Sequence, residues 1–244
     1  MTKLPDLSKC VDLTFLYCGK NQLTRLPDLS KCTNLEDLDC RHNRLTELPY
    51  LGGCAKLSYL DCGDNKLTVL SDFSKCTALG YLDCGYNQLT KLPDFSRCKE
   101  LGYLNCEENK LTTLDLSRCT GLGILVCSNN LLTKLPNISG CTELIELVCM
   151  NNKLTALDIS KCTKLLSLSC DNNKLTELDI SGCTALGSLY CSNNQLKVLD
   201  ISKCTELYHL SCKGNPSIEI LVGPGFDKNI LYGDPGVIFK EKTK

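Results

Sequence analysis

A unit of 22 or 21 residues recurs ten times along this 244-residue chain, and no other property limits its fold so tightly. Cysteines mark the register. Twenty of them form ten pairs, from Cys10/Cys18 to Cys204/Cys212, and the two members of each pair stand eight positions apart. The step from one pair to the next is 14 residues five times and 13 residues four times. A period in this range belongs to solenoids, in which each unit buries its apolar side chains only against its neighbours. One elongated domain follows, where length alone would allow one or two globular ones.

The unit contains the frame L-x-x-L-x-C-x-x-N-x-L, as in Leu35 to Leu45. Its first two leucines and its asparagine are filled in every copy, and its last leucine fails only in the tenth, where Ser217 stands. Alternation around L-x-C suits a short strand with one buried and one open face. Copies stacked in register form a parallel sheet with strands about 4.8 Å apart, so ten of them span on the order of 45 Å. Each copy continues as L-T-x-L-(P)-D-x-S-K-C-T, as in Leu23 to Thr33. Aspartate then serine before a short polar run reads as a capped turn or a single 3₁₀ turn, with no room for a long helix.

The frame resembles the leucine-rich-repeat family over residues 1–215. Units of this length carrying L-T-x-L-D-x-S, with cysteine at the sixth position, are similar to the bacterial internalin-like class with a cysteine ladder. A second cysteine per unit, on the convex turn, departs from that pattern. The resemblance implies an α/β solenoid, mostly β: a horseshoe with a concave parallel sheet of about ten strands and short convex turns or 3₁₀ segments. Residues 216–239 leave the repeat and read as a β-type cap. Its apolar runs are 218–222, 230–232 and 237–239, the last after a Gly-Asp-Pro-Gly turn. Residues 240–244 read as a frayed tail.

The asparagine column, with Asn43, Asn65 and Asn87 as examples, is expected to be structural. Its amides can bond the backbone groups that a sharp bend leaves unpaired. The cysteines, among them Cys40, Cys62 and Cys84, occupy inward positions and read as small buried hydrophobes. A disulfide along a column is the alternative. Stacked strands place Cβ atoms about 4.8 Å apart, however, and a disulfide prefers about 3.8 Å. A column of thiols also lacks the tetrahedral spacing of a zinc site.

Function should sit where copies differ. The third, fifth, seventh and eighth frame positions face the concave side. The first five copies mix tyrosines with carboxylates there: Tyr17, Asp39, Tyr59, Asp61, Tyr81, Asp83, Tyr86 and Tyr103. Copies six and seven present Ile124, Val126, Val148 and Met150, and copies eight to ten are mostly Ser and Asn. Tyrosine gives large contact area at low entropic cost, and a contiguous apolar patch marks a contact. The expected function is therefore a non-catalytic module that recognises a protein or peptide, a basic one by charge, through its concave face. The alternatives are a carbohydrate- or host-surface-binding adhesin fragment and a structural spacer.

The formal net charge of −1 gives no bias toward nucleic acid. No stretch approaches the roughly 18 apolar residues of a membrane span, so no membrane insertion is expected. A convex basic column (Lys9, Lys31, Lys75, Arg97, Arg118, Lys161, Lys203) has an Asp three residues earlier in nearly every copy, which should offset it. Two histidines, His42 and His209, stand far apart, and no phosphate loop or metal-ligand spacing occurs. No enzyme, cofactor or metal is expected, and the chain reads as a monomer. The start shows no signal-peptide core. A full-length chain would then be cytoplasmic, and a trimmed one secreted or cell-surface.

Overall fold

The computed structural model describes residues 1–135, 138, 140–232 and 237–242. Each copy of the frame forms one three-residue strand from its third to its fifth position. These are β1 (Phe15–Tyr17), β2 (Asp37–Asp39), β3 (Tyr59–Asp61), β4 (Tyr81–Asp83), β5 (Tyr103–Asn105), β6 (Ile124–Val126), β7 (Glu146–Val148), β8 (Ser167–Ser169), β9 (Ser188–Tyr190) and, after β10 (Val198–Asp200), β11 (His209–Ser211). Beyond the repeats come β12 (Glu219–Val222), a 3₁₀ turn (Lys228–Ile230), β13 (Leu231–Tyr232) and β14 (Ile238–Glu241). The ten repeat strands and β13 make one 11-stranded sheet. Every pairing in it is parallel, and the central leucines stand in line from Leu16 and Leu38 to Leu189, Leu210 and Leu231.

Leucine forms the inner wall because the fourth position points inward while the third and fifth point out. From Leu38 to Leu210 the fourth-position side chains are fully buried, and each contributes roughly 1.5–3 kcal/mol over an exposed state. Both cysteine columns lie in the same core. All twenty thiols are free, and all but Cys10 are buried. Burial pushes the pKa of inward thiols up, to about 11 for Cys54 and about 12 for Cys76, so these two remain protonated and unreactive.

The asparagines close the bend that follows each strand. Asn43 Nδ2 donates to the carbonyls of Cys40 and Arg41 in its own copy, at 3.0 and 3.2 Å, and of Cys18 in the copy before, at 3.0 Å. Its Oδ1 accepts the Leu23 N–H, also of the copy before, at 2.9 Å. The same set recurs at Asn87 and Asn152. At Asn215 the links to both cysteine carbonyls and to the Leu196 N–H persist. At the other end the Met1 amino group takes the leucine's place and donates to Asn21 Oδ1 at 3.0 Å.

On the convex side two tight turns share each cysteine. Cys32 N donates to Leu29 O at 2.9 Å, and Leu35 N donates to Cys32 O at 3.1 Å. The aspartate ahead of them caps the turn: Ser30 N and Oγ donate to Asp28 at 2.8 and 3.0 Å. Within the ten repeats, capped turns, not 3₁₀ helices, therefore build this side among the described residues. The Asp28 carboxyl lies below its usual range, chiefly because of the Ser30 N–H. The expected offsetting of the basic column acts through space. Among the described residues, Lys31, Lys75, Arg97, Arg118 and Lys161 are in no ion pair.

A second, three-stranded sheet, β10-β12-β14, starts between the ninth and tenth repeat strands and runs into the C-terminal segment. β14 pairs with β12 from Ile238 through Glu241. Lys240 bonds Glu219 at 2.6 Å, and Lys242 pairs with Asp200. The segment expected to fray from Lys240 is thus strand up to Glu241, because backbone register and two ion pairs hold it. The anticipated Gly-Asp-Pro-Gly turn and the last two residues lie outside the described residues.

Asn87→Ala should cost roughly 1–3 kcal/mol, since it leaves a buried N–H and buried carbonyls unpaired; urea denaturation measures it. In a thiol-reagent titration, Cys10 should react fast in the native protein and the remaining cysteines only after unfolding. Rapid reaction of many native thiols would contradict the buried assignment.

Candidate functional site

The outward side chains of the strands form rows along the sheet, and the third-position row carries a tyrosine stack. Register places Tyr59 beside Tyr81 and Tyr81 beside Tyr103. Their rings lie parallel, with centroids 4.4 and 4.3 Å apart and interplanar angles of 12° and 2°. Each pair contributes about 0.5–1.5 kcal/mol beyond burial. The faces of Tyr81 are thus covered by its neighbours. Burial, then the phenols and carboxylates alongside, raises the Tyr81 pKa strongly, so the stack stays neutral at physiological pH. Tyr17 stands apart at the first strand, where its hydroxyl donates to Asp37 Oδ2 at 3.0 Å.

The fifth-position carboxylates are drawn into local structure. Each accepts the N–H two residues on: Asp39 from Arg41, Asp61 from Gly63, Asp83 from Gly85, at 3.1, 3.1 and 3.0 Å. Glycine suits the seventh position here, because a Cβ at Gly63 would stand only 3.1 Å from Asp83 Oδ1. Arg41 lies between two of the carboxylates, 3.3 Å from both Asp39 and Asp61. Asp61 is only 3% exposed. Desolvation raises its pKa above the usual carboxylate value, against the pull of the Gly63 N–H and of Arg41. Asp83 Oδ2 accepts from Asn105 Nδ2 at 3.0 Å.

Farther along, Val126 pairs with Val148 across β6 and β7, both half-buried, with Met150 half-buried in the adjoining row. The eighth-position residues border the face. His42 Nδ1 lies 2.5 Å from Asp64 Oδ2, and Tyr86 is 54% exposed. The structure therefore brings Tyr59, Tyr81, Tyr103, Asp61, Asp83 and Tyr86 into one region and Val126, Val148 and Met150 into another. Arg41 escaped the sequence reading. The signal for it was its own place at the seventh, concave-facing position, beside the stacked aspartates of two adjacent copies.

A family profile described as "Leucine Rich repeats (2 copies)" matches residues 11–53, 33–75 and 55–97. The functional domain of InlJ from Listeria monocytogenes, which includes a cysteine ladder, is 32% identical over 98% of this chain, with a TM-score of 0.67. The chain is a leucine-rich-repeat protein. It is similar to the internalin-like class with a cysteine ladder, and it spans 60% of the InlJ chain. YopM from Yersinia enterocolitica is 25% identical, with 98% of this chain and 53% of YopM covered and a TM-score of 0.67. The plant peptide hormone receptor RGFR1, solved with RGF2, shares the fold at 24% identity, with 98% and 46% covered and a TM-score of 0.73. No curated protein matches the chain.

The buried carboxyl gives a pH-dependent test. A carboxyl whose folded pKa is raised opposes folding once it ionises, so its penalty grows as pH rises from below the unfolded value, about 3.9, through the folded one. Asp61→Asn keeps an acceptor for the Gly63 N–H and removes that charge, as Asn105 does in the same row. The stability of the variant relative to the parent should therefore be greater at pH 7 than at pH 3. An equal difference at both values would contradict the assignment.

Proposed function

We propose that this leucine-rich-repeat chain is a non-catalytic module that binds a protein or peptide through its concave face. The tyrosine stack carries this reading. Three large side chains stand side by side in the middle of the sheet, pre-positioned by their own packing, so little rotamer freedom remains to be lost on binding. They present ring edges and hydroxyls, groups suited to peptide amides and side chains. The Val126, Val148 and Met150 patch lies farther along the same face and offers an apolar second contact. The carboxylates around the stack favour a basic partner and disfavour nucleic-acid phosphates.

A carbohydrate reading needs aromatic faces open to sugar rings. The stack covers both faces of Tyr81 and one face each of Tyr59 and Tyr103, which weighs against it. Support from fold alone is general: RGFR1, of the same fold, was solved with the peptide RGF2.

The test compares parent and Tyr81→Ala/Tyr103→Ala protein in capture from the lysate of the source organism and on a glycan array. The variant loses stacking worth about 1–3 kcal/mol, so both proteins are used well below the melting temperature of the variant. The expected result is a protein partner captured by the parent and lost with the variant. Identical capture by both would place binding elsewhere, and glycan binding abolished by the same variant would favour the carbohydrate reading.

A further inference from the structure

The eighth frame position has a left-handed backbone in every copy. Its φ lies between 49° and 55° from Lys20 in the first copy to Asn193 in the ninth, and reaches 69° at Gly214 in the tenth. Side chains with a Cβ resist this conformation; glycine adopts it freely, and Asn, Asp and His tolerate it best. Copies six to ten follow that preference with Asn129, Asn151, Asn172, Asn193 and Gly214. His42 and Asp64 also conform. Lys20, Tyr86 and Glu108 do not, and of the three Tyr86 is the bulkiest: an aromatic sits at φ 53° where four later copies use asparagine.

Nothing in the packing accounts for Tyr86. It is 54% exposed, and its ring is in no aromatic stack among the described residues. Carboxylates surround it. Glu107 first, then burial, Glu108, Asp64 and Asp83 raise its phenol pKa. The charges nearby are unevenly matched. Arg41 pairs with Asp39 and Asp61, and Asp64 is hydrogen-bonded to His42, whereas Asp83, Glu107 and Glu108 are in no ion pair among the described residues. One register step from Glu107, the buried Ser128 Oγ has no hydrogen-bond partner among the described residues.

An exposed aromatic face bordered by uncompensated carboxylates fits a cation. A guanidinium fits better than an ammonium, because it can lie flat on the ring while its N–H groups reach carboxylate oxygens. We propose that Tyr86, flanked by Glu107 and Glu108, is the docking point for an arginine side chain of the bound peptide, kept at the expense of backbone strain. This rests on the protein-binding reading above and specifies the partner chemistry at that face.

The test uses an acetylated peptide of alternating glycine and arginine, and its counterpart with citrulline at every arginine, by isothermal titration calorimetry. The arginine peptide should bind the parent. Citrulline, Tyr86→Asn, or Glu107→Gln with Glu108→Gln should each weaken binding about tenfold or more, and Tyr86→Phe should stay within about threefold because it keeps the ring. Tyr86→Asn should also melt higher than the parent, since asparagine accepts the left-handed backbone. Equal binding of citrulline and arginine peptides, or undiminished binding by Tyr86→Asn, would overturn the assignment. A cellular partner that Tyr86→Asn still captures, and Tyr81→Ala/Tyr103→Ala does not, would remove the arginine site and leave the concave-face reading standing.

Discussion

Each coil of this chain ends its strand in a sharp bend that turns backbone carbonyls and an N–H into the core, where water cannot reach them. The asparagine amide answers that demand, with one acceptor and two donors on a short side chain. Asn65 bonds three carbonyls at 3.1–3.2 Å and accepts the Leu45 N–H at 3.0 Å. Because one of those carbonyls and that N–H belong to the preceding copy, the bend of each coil is completed only by the next. The residue that closes one copy thereby fastens it to its neighbour. Leucine and cysteine then fill the enclosed space, and their small, regular shapes suit a stack in which every layer must match the next.

That division of labour explains what was legible from the residues. Leu, Asn and Cys act by frame position alone, so ten repetitions made their roles readable: strand, bend and core filler. The Asp-Ser caps of the convex turns were legible for the same reason, since the carboxylate bonds a serine only two residues away. Features that depend on contacts between copies were harder to read. Asp61 looked like a surface carboxylate until Arg41 and the Gly63 N–H drew it inward. Val198–Asp200 follows the same local pattern as Glu177–Asp179 in the copy before. It becomes β10 because β12 lies beside it, a pairing written in residues 21 positions later. The left-handed eighth position left a trace in the asparagines of four copies, but that trace has meaning only once the φ angles are known.

The same contrast separates scaffold from site. The scaffold positions obey one rule in every copy. The concave positions obey it in the later copies, with serine and asparagine, and depart from it in the earlier ones, with stacked tyrosines, a shared arginine and an aromatic on a strained backbone. The last of these gains nothing in packing, and such departures are where selection for something other than folding is expected to act.

The tyrosine stack has a mechanical consequence. Its rings stand 4.3–4.4 Å apart, closer than the roughly 4.8 Å between neighbouring strands, so the outward tips of the row are already compressed relative to its base. Stacked rings at this separation leave the outward tips little further room to converge. Copies three to five are thereby braced against closing on their concave side, and β8, whose outward residues are Ser167 and Ser169, has no such brace.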